Sequence, residues 1–113
     1  MAKIEPTLPI IPLSSIATIL NAKVRNLKAY EDKGLLPKKE SENKLYSIDD
    51  IEKIQLVHYL ASVKRINASG IRYILGMMEK VFTEEQNQNL INEAEQALKD
   101  AKNNPPLDIP DTF

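Results

Sequence analysis

The 113-residue chain has no cysteine and no tryptophan, and its single histidine is His58. Without cysteine it can form no disulfide, no thiolate nucleophile and no Cys-based metal site. A zinc or iron site with one histidine would need mostly carboxylate ligands, which is a poor match to these metals. His58 follows Ile51 and Ile54 at helical spacing, and this pattern favours a packing role. We therefore predict neither a metal nor a cofactor.

The sequence also lacks the segments that membrane proteins and many enzymes need. No apolar run is long enough to cross a bilayer, and the first residues lack the apolar core of a signal peptide. This predicts a cytoplasmic protein with no membrane partner. There is no phosphate-cradling glycine loop and no nucleophile–base pair, so an enzyme is not expected. The length predicts one domain with at most a helical appendage.

The net charge of −1 conceals an uneven distribution of charge along the chain. Residues 23–44 carry seven basic and four acidic side chains, whereas residues 76–113 carry three basic and eight acidic ones. An acidic C-terminal part tends to push non-specific DNA contact onto the basic N-terminal part. The distribution therefore indicates a nucleic-acid partner, although the pI near 5.8 alone does not.

The N-terminal half has the spacing of a helix-turn-helix. Apolar residues at 3,4 spacing predict a first helix from Leu13 to Leu20, and a second helix should run from Lys23 to Lys33. Gly34 has the role of the left-handed residue that closes a helix, with Leu35 as its hydrophobic cap. Two short helices joined by a tight turn form this unit. Residues 38–46 are polar until their end, which predicts a small β-hairpin, or wing.

Three capping signals predict further helices. Ser47 with Asp50 forms a variant of the capping box, and Asn67 can cap a fourth helix. Thr83 with Gln86 forms a second capping box, which opens a C-terminal helix. That helix presents a seam of small and apolar residues, for which we predict dimerisation against a second copy; the seam is Leu90, Ile91, Ala94, Ala97, Leu98 and Ala101. The alternative is a helix that docks on its own domain.

Two motifs resemble those of the MerR family of bacterial transcription regulators. The first is Lys23-Val-Arg-Asn-Leu-Lys-Ala-Tyr-Glu31 followed by Gly34-Leu-Leu-Pro37, and the second is Asn43-Lys-Leu-Tyr-Ser47 followed by Asp49-Asp-Ile51. The stretch Ile66-Asn-Ala-Ser-Gly-Ile71 is similar to one in the heat-shock repressor branch. The chain departs from the family pattern at four positions, where it has Lys23 for Ser or Thr, Lys28 and Lys44 for arginine, and Ala29 for tyrosine.

The resemblance implies that the second helix enters the major groove while the wing grips the flanking backbone. Carried over residue by residue, Arg25 and Asn26 become candidates for base-edge contacts, since arginine suits guanine and asparagine suits adenine. The remaining DNA-binding candidates are expected to hold phosphates; they are Lys23, Lys28, Tyr30, Lys39, Lys44 and Tyr46. For Tyr46 the competing role is to seat the wing on the core.

The sequence therefore predicts a mainly α fold, a winged helix-turn-helix with a small β-hairpin wing and a C-terminal dimerisation helix. Its predicted parts are an extended arm at 1–10, the DNA-binding domain at 11–82, the dimerisation helix at 83–104 and a flexible tail at 105–113. The predicted function is transcriptional regulation, by repression, from an inverted-repeat promoter site bound by a homodimer in the bacterial nucleoid. Further expected partners are RNA polymerase or a chaperone co-repressor. The alternatives are an excisionase-like DNA-bending protein and a helical module that binds an acidic protein.

Overall fold

The computed structural model of the protein describes residues 5–37 and 45–113. The described residues form five α-helices, and the caps that the sequence predicts lie at or beside their ends. The helices are α1 (Leu13–Leu20), α2 (Val24–Asp32), α3 (Ile48–Ser62), α4 (Ala68–Lys80) and α5 (Glu84–Asp100). In the described part of the chain, no helix has both the length and the apolar character needed to span a bilayer.

The predicted β-hairpin wing is wrong. Across residues 5–37 and 45–113 the only β pairing is an isolated antiparallel bridge between Ile11 and Tyr46. Tyr46 N–H donates to the Ile11 carbonyl at 2.7 Å, and Ile11 N–H donates to the Tyr46 carbonyl at 2.8 Å. The backbone of Tyr46 is thus satisfied by the segment before α1, which leaves it unavailable to a hairpin partner. The fold of the described residues is helical.

Side-chain caps explain why α3, α4 and α5 begin where they do. Ser47 and Asp50 make both bonds of the predicted capping box at the start of α3. Asn67 accepts from the Gly70 N–H at the start of α4. Thr83 and Gln86 make both bonds of the second box, which opens α5. These predictions are confirmed, and each cap satisfies N–H groups that have no partner within the helix.

The core lies where α1, α2 and the long α3 meet. Ile16, Leu27, Ile54 and Val57 are fully buried there, together with Leu35 from the turn after α2. α1 and α2 each bury one side, whereas residues 56–62 of α3 are buried all around the helix, and this burial holds the helix-turn-helix to α3. α2 is a short helix that is supported from one side by the core.

α5 packs along α3 of its own chain. Ala94 is 1% exposed and Leu98 is also buried, while the other four seam residues are half-buried. Tyr59 of α3 donates a 2.5 Å hydrogen bond to the Glu93 carboxylate. Burial of Tyr59, and then this bond to Glu93, raises its pKa to about 12. In the structure α5 therefore docks on its own domain, as in the alternative prediction. Dimerisation through this seam stays a prediction.

Candidate nucleic-acid interface

The start of α2 has no side-chain cap. Lys23 is the N-cap residue, with extended backbone at φ −79° and ψ 131°, but its side chain makes no capping hydrogen bond. An ammonium group has no acceptor to offer a backbone N–H, which is why Ser, Thr, Asp and Asn are preferred at this position. The Lys23 side chain is instead directed away from the helix backbone, to the carboxylate of Asp108.

The end of α2 is closed as the sequence predicts. Gly34 has φ +72°, a left-handed conformation that favours glycine, and its N–H donates to the Glu31 carbonyl. Leu35 N–H donates to the Tyr30 carbonyl, which completes a Schellman motif, and the Leu35 side chain is buried. This stop limits α2 to nine residues. The helix is fixed at its C-terminal end by both backbone and core contacts.

The solvent side of α2 carries two of the predicted DNA-binding residues. The Arg25 side chain is 70% exposed, and Lys28 is exposed one turn further along the helix. Lys39 and Lys44 lie outside the described residues. Arg25 and Lys28 therefore form the accessible cationic face of this helix in the structure.

The C-terminal end of the chain returns to this face. We call residues 104–113 the strap. The Asp108 carboxylate lies 3.0 Å from the Lys23 ammonium and 3.0 Å from the Arg25 guanidinium. Arg65, which follows α3, donates to the Asp108 backbone carbonyl at 2.9 Å. The Lys23 ammonium, followed by the amide of Asn26, holds the pKa of Asp108 well below its usual range. The charged strap residue stays ionised at physiological pH.

Asn26, the second candidate for a base-edge contact, is buried in the structure. Only 3% of Asn26 is exposed, and its amide donates a long 3.5 Å hydrogen bond to the Leu107 carbonyl of the strap. It precedes the buried Tyr30 by one helical turn and therefore lies on the same side of α2. In this conformation Asn26 has no access to a base edge.

Tyr30 was predicted as a phosphate contact, yet it is fully buried in the structure. Its hydroxyl lies 2.7 Å from Nδ1 of His58, and its ring packs against Phe113 of the strap with centroids 5.5 Å apart. Burial, followed by the negative charge of Asp108, raises the pKa of Tyr30. Burial also lowers the pKa of His58 to about 4, so this imidazole is neutral at pH 7. The pair is a structural element beneath the strap.

Tyr46 lies in the core of the helical domain, where the described residues include no β-hairpin wing for it to seat. It is buried, and its hydroxyl donates to the Glu31 carboxylate at 2.8 Å. Burial, and then the bond to Glu31, raises the pKa of Tyr46. This bond joins the C-terminal part of α2 to the segment that leads into α3. Tyr46 therefore positions α2 from below.

A separate cavity of about 530 Å³ lies between the turn after α2, α3 and α4. Leu35, Leu56 and Leu75 supply apolar lining, and Glu52 and Arg72 supply charged groups. Its lining includes none of the described DNA-binding candidates. The candidate interface is therefore the outer surface of α2. The residues described by the structure contain no group of three potential metal ligands.

The fold and this surface agree with a comparison against known families. A family described as MerR HTH family regulatory protein matches residues 11–77, which include α1, α2, α3 and most of α4. The chain belongs to the MerR family. Comparison with curated proteins found no match, and comparison with solved structures found none either. Membership of the heat-shock repressor branch within this family stays a prediction.

Membership of the MerR family makes the protein a DNA-binding regulator of transcription, with the helix-turn-helix as its DNA-binding module. The match ends before α5 and the strap. The strap contacts at Asp108, Arg65 and Phe113 were missed by the reading of the sequence. The available signal was an acidic residue between prolines, followed by an aromatic one, in a segment opposite in charge to residues 23–44.

Proposed function

We propose that this MerR-family protein binds duplex DNA sequence-specifically through α2 and represses transcription as a homodimer on an inverted-repeat promoter site. The observation that carries the proposal is the solvent-facing cationic side of α2, on a helix fixed from below by the core. A helix-turn-helix presents its second helix to the major groove in this way. Repression by occupying a promoter requires no effector domain, and in a bacterial cell it would place the protein at the nucleoid.

Arg25 and Lys28 have different roles in this proposal. Arg25 is near the N-terminal end of α2, the part of a recognition helix that contacts base edges. Its guanidinium can donate to two acceptors of guanine at once. Lys28 is a single compact charge further along the helix and suits a phosphate. The Lys28 contact would add affinity for any duplex, whereas the Arg25 contact would select among sequences.

Selection of bound duplexes from a random pool tests the proposal. We expect wild-type protein to return a consensus with two inverted half-sites. Arg25→Ala should cost roughly 1–3 kcal/mol on that site and relax one position of the consensus. Lys28→Ala should keep the consensus and reduce the magnitude of the salt slope by about one. Lys80→Ala, an exposed charge at the end of α4, is the matched control and should change neither.

The selection also has outcomes that contradict the proposal. Enrichment of no sequence, with no duplex binding at low salt, would reject DNA binding and favour a module that binds an acidic protein. An unchanged consensus for Arg25→Ala would remove Arg25 from base readout.

The homodimer has its own test, because Ala94 and Leu98 of the predicted seam already pack on α3. A dimer in which α5 stays docked would have to use the half-buried seam residues, such as Leu90 and Ala97. Sedimentation of wild-type protein at micromolar concentration distinguishes the states. A two-fold dimer also implies reading helices spaced by about 34 Å or a multiple of it. A monomer on a single half-site would contradict this part of the proposal.

A further inference from the structure

The strap occupies the surface that the proposed function assigns to DNA. Asp108 places a carboxylate against Lys23 and Arg25, two of the residues expected to meet DNA. A carboxylate and a phosphate are both anions that accept hydrogen bonds from these groups. The Leu107 carbonyl accepts a hydrogen bond from the Asn26 amide at the same time. One short segment thus fills a predicted phosphate site and occupies a donor of a predicted base-reading side chain.

The strap is held at several points along its length. Asn21, at the end of α1, donates from its amide to the Asn104 carbonyl at 2.9 Å. At the other end, the Ala68 N–H donates to the Phe113 carbonyl at 3.2 Å. Ala68 is the first residue of α4, so its N–H has no partner within the helix and is available to the strap. The strap therefore runs from the turn before α2 to the start of α4.

The attachment at Asp108 is of a kind that can be reversed. The Lys23 and Asp108 side chains are both partly exposed, and the Arg25 side chain is mostly so. Salt screens exposed ion pairs of this kind, and each contributes little to stability. Pro105, Pro106 and Pro110 restrict the chain within the strap, which lowers the entropy that redocking would cost. A segment with these contacts can leave without unfolding the core.

We propose that residues 104–113 are an autoinhibitory strap, which competes with DNA for Lys23 and Arg25 and must leave α2 before the helix enters a major groove. The inference rests on the proposed DNA-binding function and adds a regulatory step to it. DNA binding then requires the Asp108 carboxylate to be exchanged for a phosphate at Lys23 and a base edge at Arg25, and the Asn26 amide to leave the Leu107 carbonyl. The released segment carries Asp108 and Asp111, which the negative charge of bound DNA would repel from the complex.

The test compares two variants that each remove one negative charge from the strap. Asp108→Asn loses the contacts with Lys23 and Arg25, whereas Asp111→Asn alters an exposed carboxylate further along. Fluorescence anisotropy with a labelled duplex of random sequence at low salt measures binding. We expect Asp108→Asn to bind about tenfold more tightly than Asp111→Asn, the gain if the wild-type interface is open one-tenth of the time. Circular dichroism checks that both variants are folded.

Hydrogen exchange at the Ala68 amide gives a second measurement, because strap release frees this N–H. Its exchange should become faster in Asp108→Asn and in the wild-type complex with duplex, but stay slow in free Asp111→Asn. Equal duplex affinity of the two variants, or a protected Ala68 amide in the complex, would contradict the autoinhibitory role of the strap. Neither result would contradict DNA binding. Absence of duplex binding by all three proteins would instead overturn the proposed function.

Discussion

α5 and the strap are consecutive in sequence but attach to the domain in different ways. α5 buries Ala94 and Leu98 against the core and adds hydrogen bonds from Tyr59 to Glu93 and from Asn87 to the Met78 carbonyl. The strap uses the exposed ion pairs of Asp108 and hydrogen bonds to backbone atoms, and its apolar contribution is the half-buried pair Ile109 and Phe113. Salt screens exposed ion pairs, whereas the burial of apolar surface does not depend on charge and is not weakened by screening.

This difference implies that the two segments leave the domain at different costs in free energy. Removal of α5 from α3 would expose core residues, so it should occur only with unfolding of the domain. Removal of the strap breaks the ion pairs of Asp108 and the ring contact of Phe113 with Tyr30, but it does not require α5 to leave α3. Local opening of low free energy is expected where contacts are few and exposed. The strap is therefore the releasable segment, and α5 belongs to the fold.

The largest expected effect comes from placing a charge under α5. Ala94→Glu would force a carboxylate into a site that is 1% exposed, and should lower the free energy of unfolding by roughly 3–5 kcal/mol. Chemical denaturation followed by circular dichroism measures this. The same substitution at an exposed position of the helix, Asn89→Glu, should have little effect. If Ala94→Glu only split a dimer and left the domain fully stable, the docked position of α5 would be contradicted.

A second prediction uses the pH dependence of the buried layer beneath the strap. The pKa of His58 falls from 6.5 to about 4 on folding, so the unfolded chain binds a proton between these values that the folded chain does not. The free energy of unfolding should therefore decrease as the pH falls from about 6.5 to about 4, by about 3 kcal/mol in all. His58→Gln should remove this slope. Tyr30→Phe should retain it, because burial rather than the Tyr30 hydroxyl lowers the pKa; loss of the slope in that variant would contradict burial as the cause.

The smallest effect should appear in α4, which contacts the strap only at its first turn. A Cβ at Gly76 would meet nothing within 4 Å, so Gly76→Ala should raise the free energy of unfolding by about 1 kcal/mol through helix propensity. Gly70→Ala is the contrasting variant, since its Cβ would lie 2.5 Å from Cγ2 of Ile66 and should destabilise the domain. Thermal unfolding measures both. Destabilisation by Gly76→Ala would show that α4 needs glycine at this position.

Local signals predicted the helices well because their causes are local. The capping residues Ser47, Asn67 and Thr83 satisfy N–H groups within three residues of themselves, and Gly34 closes α2 by its own backbone conformation. The prediction of the wing was wrong because the pairing of Tyr46 is not local. Tyr46 pairs with Ile11, from a segment far away in sequence, and a polar stretch that ends in an aromatic residue contains no trace of that partner.

The strap shows the same limit at the candidate site. Exposure of Arg25 and Lys28 could be predicted from helical periodicity, but the contact of Lys23 with Asp108 spans 85 positions. It exists because α5 folds back along α3 and returns the chain to α2. In sequence alone, residues 105–113 resemble an unanchored tail, since they are short and rich in proline. Only the tertiary fold places Asp108 beside Lys23 and Arg25.

The bond between Asn21 and Asn104 has a consequence for how inhibition depends on protein concentration. α5 is docked on α3, and the hydrogen bond between Asn21 and Asn104 lies just beyond the C-terminal end of α5. The strap therefore stays close to α2 when the ion pairs of Asp108 break. A tethered ligand of this kind acts at an effective concentration on the order of millimolar, whatever the concentration of the protein. A separate inhibitor protein would instead dissociate from α2 on dilution. The fraction of molecules in which the strap contacts α2 is then the same at low copy number as at high, and only the binding of DNA itself depends on protein concentration.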